Sequence, residues 1–142
     1  MRIEYLVVCD YAADQGGKLT LVGTFDLVNA PTVPYRLPNM GVGIRMRPER
    51  ADLERGDHKI QVKLVAPDSA VLASLDGELR SSKGVSASDQ DPERIVAQLA
   101  FNLAGTTFSQ YGRHRLELWI DGELKHHVSI FVVKPQSEQV SQ

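Results

Sequence analysis

Four histidines, a single cysteine and a scatter of aspartates are the side chains with chemistry to offer. His58 and His114 each follow a glycine by two positions, in Gly56-Asp57-His58-Lys59 and Gly112-Arg113-His114-Arg115, while His126 and His127 are adjacent. A zinc centre needs three or four ligands converging at about 2 Å. Neighbours along a strand point to opposite faces, so His126 and His127 cannot share one ion. Nothing in the spacing of His58 and His114 brings a third ligand to them. Both are read as corner histidines bonded to backbone carbonyls. Aspartates such as Asp10, Asp26, Asp68 and Asp121 fall at strand ends or turns, where the carboxylate bonds local backbone. Asp89-x-Asp91 is too sparse for a calcium loop. Cys9 shares a face with Ile3, Tyr5 and Val7, which predicts a buried, inert thiol. There is no Gly-x-Ser-x-Gly elbow, and Gly16-Gly17-Lys18 lacks the spacing of a phosphate loop. The expectation is a protein with no catalytic residue, no metal site and no cofactor.

Aromatic residues carry the remaining possibilities. Trp119 and Arg115 alternate against Leu116, Leu118 and Ile120, and Phe131 and Val133 alternate against Ile130 and Val132. If the two segments pair, Trp119, Phe131, Val133 and Arg115 line an outer surface less polar than a free face should be. That would mark an interface, with a homodimer through this hairpin as the preferred form; the alternative is that the tail or the Ser81–Glu93 loop covers this face. The alternative is a small-ligand or carbohydrate site built from Tyr11, Tyr35, Phe108 and Tyr111, which the sequence places in loops.

The elements holding these residues are strands. Period-2 alternation recurs through the chain, and no window sustains a helical period. Arg2 to Asp10 and Lys18 to Val28 read as a hairpin across Asp14-Gln15-Gly16-Gly17. Pro31, Pro34 and Pro38 predict an extended crossing from one sheet to the other. Met40, Val42, Ile44 and Met46 then alternate with Gly41, Gly43, Arg45 and Arg47, and Pro48 to Gly56 reads as a charged loop. The two Gly-x-His-basic segments each run into a strand whose even-numbered residues are apolar. Such starts are similar to the corner of immunoglobulin-like sandwiches, with histidine where a tyrosine usually sits. Val71 to Leu79 is a weaker strand, Ser81 to Glu93 a loop, and Ile95 to Leu103 a strand. The last hairpin joins Arg113–Ile120 to His126–Val133 around Asp121-Gly122. A two-residue turn there would set Leu118 against Lys125 and Leu116 against His127. Core would then meet polar side chains, so an odd-length loop is expected. The whole predicts an all-β, two-sheet antiparallel sandwich of about eight strands, one domain over 1–134, and a disordered tail over 135–142.

Composition agrees. A chain of 142 residues with 42% hydrophobic residues can bury its own core. The net charge of −2 is interspersed. The densest basic cluster, Arg45, Arg47 and Arg50, is offset by Glu49, Asp52 and Glu54, which argues against nucleic acid as a partner. One cysteine excludes an internal disulfide and fits a reducing compartment. The apolar run Tyr5 to Cys9 is too short for a signal peptide or a membrane span, so a cytoplasmic location is expected.

The segments Cys9-Asp10-Tyr11-Ala12, Gly17-Lys18-Leu19 and Val22-Gly23-Thr24-Phe25-Asp26, the proline crossing and the two Gly-x-His starts together resemble a family of small, uncharacterised bacterial β-sandwich proteins of unknown function. The resemblance reaches to Val133. It implies the fold and carries no activity, cofactor or site residue.

Overall fold

The computed structural model describes residues 1–80 and 91–136. Most of the expected Ser81–Glu93 loop, including Asp89, and the tail from 137 lie outside them. Nine strands form in chain order: β1 (Arg2–Gln15), β2 (Lys18–Thr24), β3 (Leu27–Asn29), β4 (Tyr35–Arg47), β5 (His58–Val65), β6 (Val71–Leu79), β7 (Ala97–Phe108), β8 (Gly112–Ile120) and β9 (Glu123–Val133). A short helix, α1 (Arg50–Arg55), precedes β5. The strands make two sheets, one ordered β2-β1-β4-β7 and the other β3-β9-β8-β5-β6. The chain is therefore the two-sheet sandwich its alternation predicts.

The core forms where the alternating apolar rows of the sheets meet. Met40, Val42, Ile44 and Met46 of β4 and Leu116, Leu118 and Ile120 of β8 are all almost fully buried, with Ile60, Val62 and Leu64 of β5 among them. Each such side chain contributes roughly 1.5–3 kcal/mol on leaving water, so parity along these strands decides the fold.

Several local expectations are corrected. Lys18 to Val28 is not one strand. β2 ends at Thr24, the Phe25 N–H bonds the Val8 carbonyl at 3.0 Å, and the chain then crosses to the other sheet as β3. β3 pairs with β9 in parallel, the one parallel pair among the described strands. The proline segment does return the chain to the first sheet, but β4 already begins at Tyr35. Pro38 is tolerated inside it because β1 pairs only with Gly41 to Arg47, leaving one side of β4 open at Pro38. The charged segment before β5 contains α1, closed by a reciprocal capping box between Glu49 and Asp52. Six residues are too few to show a helical period.

The last turn is the two-residue Asp121-Gly122 after all, both residues at positive φ (52° and 82°). Ile120 pairs with Glu123 and Trp119 with Leu124. A bulge between Leu118 and Trp119 then admits Lys125 as the extra residue. Leu118 falls opposite His126 and Leu116 opposite Val128. The core pairing required by parity is met by a bulge in the strand rather than by a longer loop.

One feature distinguishes the two outer faces. Beyond Cys9, β1 bends with β2 across the outer face of its own sheet. The Asn102 amide of β7 accepts the Ala12 N–H at 3.1 Å and donates to the Ala12 carbonyl at 2.8 Å. Asn39 donates to the Asp10 carbonyl at 2.6 Å, and Gln98 reaches the Gly17 carbonyl at the hairpin tip. Gly41 and Gly43 of β4 make room. A Cβ at Gly41 would sit 2.7 Å from the Ala12 nitrogen, and one at Gly43 would run into the Leu21 side chain. The β1–β2 hairpin is thus a flap over the four-stranded sheet. The five-stranded sheet has no such cover among the described residues.

Candidate functional site

The uncovered face carries the side chains that alternate against the core. Across it, Trp119 stands beside Leu124 on one side and Gln61 on the other. Toward the far end, Phe131 is flanked by Leu27 and Arg113. Between these rows lie Glu117 and His127, then Arg115 and Ser129. Six residues of β8 separate the Trp119 row from the Phe131 row, about 20 Å. Trp119 and Phe131 share the face, as their parity requires, but do not form one continuous apolar patch.

The Trp119 end is dressed in polar groups. Its indole N–H donates to Glu117 at 3.2 Å, and Lys63 Nζ lies 4.6 Å from the ring centroid. Arg115 donates to the second Glu117 oxygen at 3.3 Å. Glu117 is 8% exposed and satisfied by these two donors. A cation over an indole face contributes about 0.5–1 kcal/mol at such a site. The other end is barer. Phe131 is 41% exposed and Leu27 49%. Val133 is half-buried, and its carbonyl accepts the Ala30 N–H at 2.8 Å.

A groove of about 530 Å³ runs past Trp119, lined by Lys59, Gln61, Asp76, Glu78 and Gly122. It adjoins a cleft of about 450 Å³ bordered by Arg55, His58 and Asp121. His58 is 5% exposed. Its Nδ1 lies 2.7 Å from Asp121 Oδ2 and its Nε2 2.7 Å from the Asp52 carbonyl. Both partners are acceptors, an arrangement that favours the protonated ring. Burial opposes the charge. The Asp121 hydrogen bond, the Asp52 carbonyl and the two carboxylate charges outweigh it, and the pKa is raised. Asp121 is held below the usual carboxylate range, chiefly by His58 and then by the Lys59 N–H it accepts. Asp52 also faces the Met1 ammonium at 2.5 Å. Burial pushes its pKa up, but that ion pair and the Glu49 N–H bring it below normal. With both nitrogens engaged, His58 has none left to act as base or ligand. It ties α1, β5 and the β8–β9 turn together.

His114 has the opposite environment. It is fully buried, edge-on to Phe108 with centroids 5.1 Å apart, and its Nδ1 bonds the Gly112 carbonyl at 3.2 Å. Nε2 has no partner. Burial pushes the pKa down, outweighing the Gly112 carbonyl and the Asp68 charge. The expected carbonyl bonds are present at both histidines. The Asp121 partner of His58 was not visible in the sequence, because 63 residues separate them.

The four loop aromatics do not converge on a ligand. Phe108 ends β7 fully buried, a core residue and not a loop one. Tyr35 lies in β4, paired with Phe108 and packed on the core. Tyr111 donates its hydroxyl to the Ala30 carbonyl at 2.8 Å. Tyr11 belongs to β1, on the flap, 52% exposed beside Val22. Cys9 is fully buried, and burial raises its pKa. Asp68 and Asp91 bond local N–H groups, as turn aspartates do. Among the described residues no group of three or more His, Cys, Asp or Glu side chains is placed to hold a metal ion. No helix among them is long and apolar enough to cross a membrane.

Comparison with known proteins is silent on activity. No curated protein matches the chain. A solved structure described as an immunoglobulin-like protein from Pseudomonas aeruginosa is similar at 14% identity, covering 93% of this chain and 95% of its own, with a TM-score of 0.36. Residues 4–133 match the model of a family of unknown function, DUF6941, and the chain belongs to that family.

Proposed function

We propose that this DUF6941 domain is a non-catalytic binding module that works by protein–protein contact through the outer face of its five-stranded sheet, a second copy of the chain being the first partner to test. One observation carries the reading. The flap covers one face of the sandwich, while the other leaves Phe131 and Leu27 exposed at one end and Trp119 beside Leu124 at the other. Two anchors about 20 Å apart fit under a standard interface of about 800 Å² per partner. The engaged nitrogens of His58 and the buried thiol of Cys9 support a role without catalysis. The single cysteine supports a reducing, cytoplasmic setting.

Light scattering of the pure chain tests this. Trp119→Ala and Phe131→Ala should each weaken self-association by roughly tenfold or more while leaving the circular dichroism unchanged. An association state indifferent to both substitutions removes the second copy as partner of this face. The Trp119 groove favours one other reading, a polar ligand such as a sugar stacked near the indole and bonded by Gln61 and Asp76. Its sign is a saturable change in tryptophan fluorescence on titration with a glycan. A flat titration refutes it.

A further inference from the structure

We infer that the open edge of β7 is a second contact surface, and that it pairs antiparallel with β7 of another copy to continue the four-stranded sheet across a twofold axis. The inference rests on the edge and not on the outer face discussed above. β7 is the last strand of its sheet, so one side of its backbone has no partner strand among the described residues. Natural edges are guarded by charge, proline or shortness. β6 carries Asp76 and Glu78, β2 carries Lys18, and β3 is three residues long. The unpaired part of β9 carries Glu123, Lys125, His126 and His127. β7 is twelve residues with no charge and no proline, Ala-Gln-Leu-Ala-Phe-Asn-Leu-Ala-Gly-Thr-Thr-Phe.

The occupant follows from the order of those residues. In an antiparallel pair about a twofold, positions equidistant from the axis face each other. Centred on Phe101, Leu99 meets Leu103 of the second copy, Ala100 meets Asn102, Gln98 meets Ala104, and Phe101 meets itself. Apolar residues meet apolar ones on the core side, and small or amide residues meet on the other. A strand bearing charge near its centre would oppose like charges in the same arrangement. The side chains agree. Leu99, Phe101 and Leu103 are only partly buried although they point inward. Beside them a cleft of about 210 Å³ opens between the sheets, its apolar wall of Ile60, Val62, Leu75, Leu99 and Phe101 edged by Asp76 and Glu78. Leu75 is 42% exposed at its rim. The axis through Phe101 brings two such clefts together. Such a contact is isologous and closes at the dimer.

Sedimentation equilibrium of the full chain from about 1 to about 200 µM reads the association. The expected result is a species of twice 15.7 kDa, with Ala100→Lys raising Kd on the order of tenfold or more. Trp119→Ala and Phe131→Ala should leave the concentration-dependent protection of the β7 amides intact, whatever they do to a contact through the outer face. Hydrogen exchange on the unsubstituted chain gives a second readout independent of any variant: protection should rise with concentration in the β7 amides. A chain that stays monomeric to the top of the range overturns the inference. So does a dimer that Ala100→Lys leaves unchanged, or one whose formation leaves β7 exchange unaltered. A dimer lost in Trp119→Ala or Phe131→Ala but kept in Ala100→Lys overturns the inference and leaves the outer-face reading standing. The reverse pattern upholds the edge and removes the second copy from the outer face.

Discussion

Adding one methyl group at Gly41 should cost far more than adding the same methyl at Gly43, two residues along the same strand. Gly41 is not in the left-handed region, so alanine meets no backbone strain there. Its Cβ would sit 2.7 Å from the Ala12 nitrogen and 2.8 Å from the Tyr11 carbonyl carbon, both main-chain atoms of the flap. Ordinary contact begins near 3.4 Å, so the flap must lift by about 0.7 Å. That stretches the Ala12 N–H···Asn102 bond from 3.1 Å past the range where such bonds count. It also strains the return bond from Asn102 to the Ala12 carbonyl. Two bonds at about 1 kcal/mol each, plus part of the penalty for an orphaned buried N–H, come to about 3 kcal/mol. Alanine recovers about 0.4–1 kcal/mol by restricting the unfolded chain. The net loss for Gly41→Ala is then about 2–3 kcal/mol, or about 10 °C in Tm for a chain of this length. At Gly43 the obstacle is the tip of the Leu21 side chain, which can rotate, so the cost should stay below about 1.5 kcal/mol. Urea unfolding of both variants measures the difference, and hydrogen exchange at Ala12 localises it. Equal losses at the two positions, or a Gly41→Ala loss under about 1 kcal/mol, would refute the account of the flap as a clamped, close-fitting cover.

The two strand-start histidines give paired pH predictions of opposite sign. The folded pKa of His58 is raised, so its contribution is complete below the unfolded value near 6.5 and is lost as pH climbs through the folded pKa. Asp121→Asn should flatten that alkaline limb of a stability–pH profile. His114 is depressed by burial, so its cost appears as pH falls from about 6.5 toward the folded pKa. His114→Leu should flatten that acid limb. If each substitution flattens the other's limb, or neither, the protonation states assigned from hydrogen-bond geometry are wrong.

The parts of this molecule written in the sequence are those where the signal is local. Met40, Val42, Ile44 and Met46 announce their buried face because alternation is a property of neighbours. So do Leu116, Leu118 and Ile120, and the sandwich follows. The break after Thr24 was hidden because Lys18 to Val28 keeps its alternation through the point where the chain changes sheets. Gly41 and Gly43 were seen to face outward, but their meaning lies in contacts with Ala12 and Leu21, residues about twenty or thirty positions away. The bulge at Lys125 shows the same limit from the other side. Parity fixed which residues of β8 and β9 had to meet, while the turn chemistry of Asp121-Gly122 fixed the loop length. Only a residue displaced from the ladder reconciles the two.

His58 and His114 show why a motif alone could not assign a site. Both follow Gly-x, both begin a strand, and both bond a carbonyl near the corner. One faces the Asp121 carboxylate, which favours its charged form. The other faces Phe108, its second nitrogen unpartnered, and burial favours its neutral form. The difference is made by a residue 63 positions distant in one case and by an aromatic ring in the other, neither of which the motif contains. The same reasoning separates the two outer faces. Polar-looking alternation on β4, with glycine at Gly41 and Gly43, proved to be the seat of a flap. Less polar alternation on β8 and β9 is left uncovered by the described residues. What a face binds is decided by whether the chain has already covered it, and that is a property of the flap's amide clamps at Asn102, Asn39 and Gln98 more than of the face itself.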